Sequence, residues 1–118
     1  VLGEVRVHKP HEFYDFEAKY LDGATSFDVP ANISDSLSKE IREAAITAFT
    51  ALGCEGLARV DFFLTEKNEV IINELNTMPG FTPRSVFPML WAATGKDYQE
   101  IISELCRSAL GRSQNVVR

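Results

Sequence analysis

Leu57-Ala58-Arg59-Val60-Asp61-Phe62-Phe63-Leu64, then Thr65-Glu66-Lys67-Asn68-Glu69, then Val70-Ile71-Ile72-Asn73-Glu74-Leu75-Asn76-Thr77, is the stretch on which the fold turns. Two runs rich in β-branched and aromatic residues flank a short polar connection, the pattern of an antiparallel hairpin. Side chains alternate between the two faces of a strand. Arg59 therefore shares a face with Asp61, and Glu74 shares one with Asn76. A turn centred between Lys67 and Asn68 sets Asp61 opposite Glu74 and Arg59 opposite Asn76. Direct partners have Cβ atoms about 4.5–5.5 Å apart, and like charges so placed destabilise a sheet. A cation would relieve that conflict. The oxygens of Asp61, Glu74 and Asn76 are the donors that a hard divalent ion such as Mg²⁺ prefers. Arg59 beside them suits a phosphate or a carboxylate. An ordinary solvated hairpin face would carry the same residues, and a one-residue slip would scatter them.

Downstream, Met78-Pro79-Gly80-Phe81-Thr82-Pro83-Arg84 forms a loop stiffened by two prolines and loosened by one glycine. Gly80 allows close approach of backbone to a ligand and can offer an N–H to developing negative charge, or it simply makes a turn. A short helix is expected over residues 85–93, stopped by Gly95. Ser85 can cap it, hold a substrate carboxylate, or both. A last helix starts at Asp97, with Glu100 completing a capping box. Tyr98, Ile101, Ile102, Leu105 and Ala109 form its apolar face, and Gly111 ends it. Residues 113–118 read as a frayed tail.

Upstream, Leu37, Ile41, Ala44, Ala45, Ala48, Phe49 and Leu52 recur at helical spacing. They predict a helix over residues 34–52, capped by Ser34 or Ser36 and stopped by Gly53. Strands are expected over residues 1–8 and 25–29. Between them, residues 13–21 have too many aromatics for a plain loop and no clean period, so an ordered loop is expected. The whole reads as an α+β domain: a mainly antiparallel sheet packed by helices.

Composition narrows the function. The 118 residues are 45% hydrophobic and 25% charged, enough for one core and too few for two full domains. Twelve basic against seventeen acidic residues give a net charge of −5, a poor match for general nucleic-acid binding. No apolar run approaches the roughly 20 residues of a membrane span. Cys54 and Cys106 lack metal-ligand spacing and fit a reducing compartment. The sequence starts at Val1, inside what reads as a strand, so a piece of a longer protein is expected.

Three blocks now carry a resemblance. Phe13-Tyr14-Asp15-Phe16-Glu17-Ala18-Lys19-Tyr20-Leu21, Ala58-Arg59-Val60-Asp61-Phe62-Phe63 and Asn73-Glu74-Leu75-Asn76-Thr77-Met78-Pro79-Gly80-Phe81-Thr82 resemble signature blocks of the D-alanine–D-alanine ligases, members of the ATP-grasp superfamily. The last block is very specific, whereas Arg-Val-Asp alone is weak. The likeness covers nearly the whole chain and matches the C-terminal of three domains. It implies an ATP-dependent ligase that joins two D-alanines through an acyl phosphate, for peptidoglycan precursor synthesis in the cytoplasm. Asp61, Glu74 and Asn76 would hold two Mg²⁺ ions, with Mn²⁺ as a substitute. Arg59 would steady the acyl phosphate and tetrahedral intermediate, Gly80 would supply the oxyanion N–H, and Ser85 would bind the carboxylate of the second D-alanine. Phe13, Tyr14, Lys19, Asn73 and Glu74 would meet ATP, with Lys19 reaching the γ-phosphate. Tyr20 would help bind the second substrate and favour an amine over D-lactate. Partners implied are D-alanine, ATP, the N-terminal and central domains, and a second copy in a homodimer. A D-alanine–D-lactate ligase, or a non-catalytic module for a divalent cation or a partner, are the other readings. The chain alone is expected not to form dipeptide.

Overall fold

The computed structural model describes residues 4–7 and 25–112. The expected ordered loop at 13–21 and the expected tail at 113–118 lie outside them, and with the loop go Phe13, Tyr14, Lys19 and Tyr20. Strand β1 (Glu4–Val7) pairs antiparallel with β2 (Thr25–Asp28). Helix α1 (Asp35–Ala51) follows. Strands β3 (Arg59–Leu64) and β4 (Val70–Asn76) form the hairpin, and helices α2 (Val86–Ala92) and α3 (Tyr98–Leu110) complete the chain. The α+β class and antiparallel pairing are as read from the pattern. The described strands form two separate two-stranded ladders rather than one sheet.

The helix ends obey local chemistry. Ser34, not Ser36, caps α1, its hydroxyl accepting the Leu37 N–H at 3.3 Å. Gly53 follows the helix at φ 63°, a left-handed conformation that disfavours a Cβ. At α3 both halves of the capping box are made: Asp97 Oδ1 accepts the Glu100 N–H, and Glu100 Oε2 accepts the Asp97 N–H, each at 2.8 Å.

Among the described residues the helices bury Leu37 and Ile41 of α1, Phe87 and Pro88 of α2 and Ile101 of α3. Each such burial contributes about 1.5–3 kcal/mol. Helix α1 lies against β4, and α2 against α3. Phe81 packs its ring between Phe87 at 5.8 Å and Tyr98 at 5.1 Å. Trp91 meets Phe87 edge-on at 6.4 Å, with Lys96 Nζ over its own ring at 5.6 Å. The apolar stripe of α1 fades at its end. Leu52, expected in the stripe, is the C-cap and is 68% exposed. On α3, Ile102 and Ala109 also stay exposed, because no described element covers that side.

The hairpin departs from the simple pattern in an instructive way. Its turn is built on Thr65-Glu66-Lys67-Asn68, where the Asn68 N–H donates to the Thr65 carbonyl at 2.9 Å and Asn68 itself sits at φ 62°. This three-residue loop is half a residue off the centre assumed from sequence. Next to it Leu64 pairs with Val70, Phe63 with Ile71 and Phe62 with Ile72. Continued unchanged, that register would set Asp61 opposite Asn73 and Arg59 opposite Leu75. A bulge between Asp61 and Phe62, with Asn73 as the extra residue, shifts the ladder instead. Beyond it Asp61 pairs with Glu74, Val60 with Leu75, and Arg59 with Asn76.

Candidate active site

The bulge brings the expected cluster together. Arg59 lays its guanidinium along Asp61, with Nε 2.7 Å from Oδ1 and Nη2 2.8 Å from Oδ2. The same Nη2 donates across the ladder to Glu74 Oε1 at 3.2 Å. One cation thus bridges both carboxylates. The like-charge conflict that suggested a metal ion is met here by a residue of the chain, so repulsion alone is not an argument for metal. A bidentate fork is the strong form of this contact. It is worth more here than on an open surface, because the Arg59 and Asp61 side chains are only 26% and 33% exposed.

Asn76 lies on the same face. Its Oδ1 accepts the Met78 N–H at 2.9 Å, turning the chain out of β4 into the next loop. An amide oxygen has a second lone pair. The donor set fits a hard divalent cation: two carboxylates and an amide oxygen on one face, with the Glu74 side chain 54% exposed. Among the described residues no group of three His, Cys, Asp or Glu gathers for a metal. Asn73, expected at the nucleotide, is the exposed extra residue of the bulge.

Past the hairpin, Pro79 is buried and Gly80 exposed. A Cβ on Gly80 would stand 3.0 Å from Ser85 Oγ, a contact tight enough that the hydroxyl would have to give by a few tenths of an ångström. Ser85 occupies the N-cap position of α2, but its side chain makes no cap bond. The capping role allowed from sequence is corrected: Oγ accepts the Thr82 N–H at 3.0 Å and lies 2.9 Å from Thr82 Oγ1. The Tyr98 hydroxyl donates to the Phe81 carbonyl. Tyr98 and Thr82 were not singled out from sequence. Tyr98 reads there as one more apolar residue of a helix face, and its hydroxyl is the signal that such a pattern does not weigh.

Comparison with known proteins adds to this geometry. Residues 1–107 match the family model described as D-ala D-ala ligase C-terminus. The chain belongs to this family. It is 56% identical over 110 residues to a D-alanine–D-alanine ligase of Frankia casuarinae, covering 93% of this chain and 29% of that protein. A Rhodococcus jostii ligase of the same name is 53% identical over 116 residues, covering 95% and 31%. The chain thus spans under a third of these relatives. Among solved structures, a Bacillus anthracis D-alanine–D-alanine ligase superposes with TM-score 0.74 at 29% identity, covering 92% of this chain and 34% of that one. The VanG D-Ala:D-Ser ligase of Enterococcus faecalis does so with TM-score 0.73 at 35% identity, covering 89% and 30%. Among the described residues no helix is long and apolar enough to cross a membrane.

Proposed function

We propose that this chain forms the C-terminal part of an ATP-dependent D-alanine–D-alanine ligase. The observation that carries the reading is the cross-strand cluster in which Arg59 bridges Asp61 and Glu74, with Asn76 alongside. Membership of the ligase family and relatives of that name support it.

The chemistry is an acyl activation followed by aminolysis. The carboxylate of one D-alanine attacks the γ-phosphate of ATP, giving an acyl phosphate and ADP. The amine of a second D-alanine attacks the acyl carbon, and inorganic phosphate leaves. Asp61, Glu74 and Asn76 would hold Mg²⁺, which when bound offsets charge on the phosphoryl oxygens. Arg59, whose fork lies on Asp61 and Glu74 in this structure, would offer its guanidinium charge to the acyl phosphate. The Gly80 N–H stabilises the oxyanion of the tetrahedral intermediate. Ser85 binds the carboxylate of the incoming amino acid. Lys19 at the γ-phosphate, Tyr20 at the second substrate, Phe13 and Tyr14 at the base, and Asn73 at the nucleotide complete the proposed set. A cytoplasmic homodimer built with the upstream domains is part of the same reading.

The test uses the full-length protein. It should form D-alanyl-D-alanine from D-alanine and ATP with release of phosphate. Asp61→Asn and Glu74→Gln should each lower kcat roughly a hundredfold or more. Wild-type protein without dipeptide synthesis would refute the reading. Unchanged turnover in both variants would favour a non-catalytic cation or partner module. The VanG likeness gives a reason to offer D-serine, and D-lactate beside it, as the acceptor in parallel.

A further inference from the structure

One peptide unit of the loop that carries Gly80 and Ser85 is tied at both of its polar groups. The Phe81 carbonyl accepts the Tyr98 hydroxyl from α3. The N–H of the same unit, on Thr82, donates to Ser85 Oγ at 3.0 Å. The peptide plane between Phe81 and Thr82 is therefore held at both ends, and the hydrogen bonds run in series from Tyr98 to Ser85. Bonds in such a chain polarise one another. The Phe81 ring, 5.1 Å from that of Tyr98, keeps the plane from turning.

A hydroxyl has one proton and two lone pairs. The Thr82 N–H takes one lone pair of Ser85 Oγ, and Thr82 Oγ1 stands 2.9 Å away, able to donate into the second. With Thr82 Oγ1 as the donor of that contact, one of its two possible directions, what remains to Ser85 is its proton, and only an acceptor can use that. A carboxylate is the strong choice. We propose that Tyr98 and Thr82 are positioning residues that commit the Ser85 hydroxyl to donate to the carboxylate of the incoming amino acid. The proposal rests on the role given to Ser85 above and deepens it.

The experiment is steady-state kinetics of the full-length enzyme with Tyr98→Phe, Thr82→Val and Thr82→Ser. Tyr98→Phe keeps the ring packing and removes only the hydroxyl. Thr82→Val keeps the shape and the backbone N–H and removes only the side-chain hydroxyl. Each should raise the KM for the acceptor D-alanine roughly five- to tenfold, the size expected for one lost hydrogen bond between neutral groups. The KM for ATP should not move, and Thr82→Ser should restore the acceptor KM. D-Alaninamide, an acceptor without the carboxylate, should be used as poorly by the variants as by the wild type. Unchanged acceptor KM in both Tyr98→Phe and Thr82→Val would overturn the proposal, as would a parallel rise in the KM for ATP. Equal losses on D-alanine and D-alaninamide would overturn it too. If the wild-type enzyme makes no dipeptide, the proposed function fails and this inference fails with it.

Discussion

At the residue scale, the site is held by close fits that side-chain chemistry explains. Gly80 is the clearest case, since a Cβ there would stand 3.0 Å from Ser85 Oγ. We expect Gly80→Ala to push the Ser85 hydroxyl aside and lower kcat/KM for the acceptor roughly tenfold or more, because small displacements at a reacting centre are costly. Gly80 is exposed, so the thermal midpoint should hardly change. Kinetics and a melting curve on the full-length protein check both halves. Much of this scale was legible in the sequence. Alternation along two strands names Arg59, Asp61, Glu74 and Asn76 as neighbours. It does not say how far a side chain reaches. That is why Arg59 was expected to face substrate and not also to lie along Asp61. Hydroxyl partners are equally silent in a pattern of apolar positions, which is why the roles of Tyr98 and Thr82 are not legible in it.

At the scale of elements, the ends of α1 and α3 are legible because caps are local chemistry, whereas the side-chain cap expected from Ser85 at α2 is not made. Ser34, Gly53, Asp97 and Glu100 act where their residue types imply. Asp97→Ala removes the side-chain half of the α3 capping box, and we expect it to cost about 1 kcal/mol. Urea unfolding of the 118-residue chain measures it, and an unchanged midpoint would count against the box as a stabiliser. The hairpin register was reached by a turn centre that was slightly wrong. The actual loop leaves the ladder off by one residue, and the bulge at Asn73 restores it before Asp61. Bulges leave no signature in a hydrophobic pattern, because the extra residue changes the pairing and not the composition. Two separate ladders in place of one sheet were illegible for a related reason: period-2 alternation shows which strands are half-buried, not which strands share hydrogen bonds.

At the scale of the molecule, burial and chemistry are divided between elements. Among the described residues the buried apolar side chains sit on α1, α2 and α3 and at Pro79 of the loop, and none comes from the hairpin that holds the carboxylates. Phe63, Leu64, Ile71 and Ile72 of that hairpin are 40–59% exposed. Few buried contacts mean easy local opening. In the 118-residue chain we therefore expect hairpin amides to exchange hydrogen faster than the central amides of α1, as mass spectrometry can follow. Slower exchange in the hairpin would refute this division. The chain also has a single tryptophan. Trp91 lies on the helix that Ser85 opens, edge-on to the Phe87 that touches Phe81. The indole is thus a built-in optical reporter: its emission should register any change in the loop beside it without an attached dye, and with no second chromophore of its kind to confuse the signal.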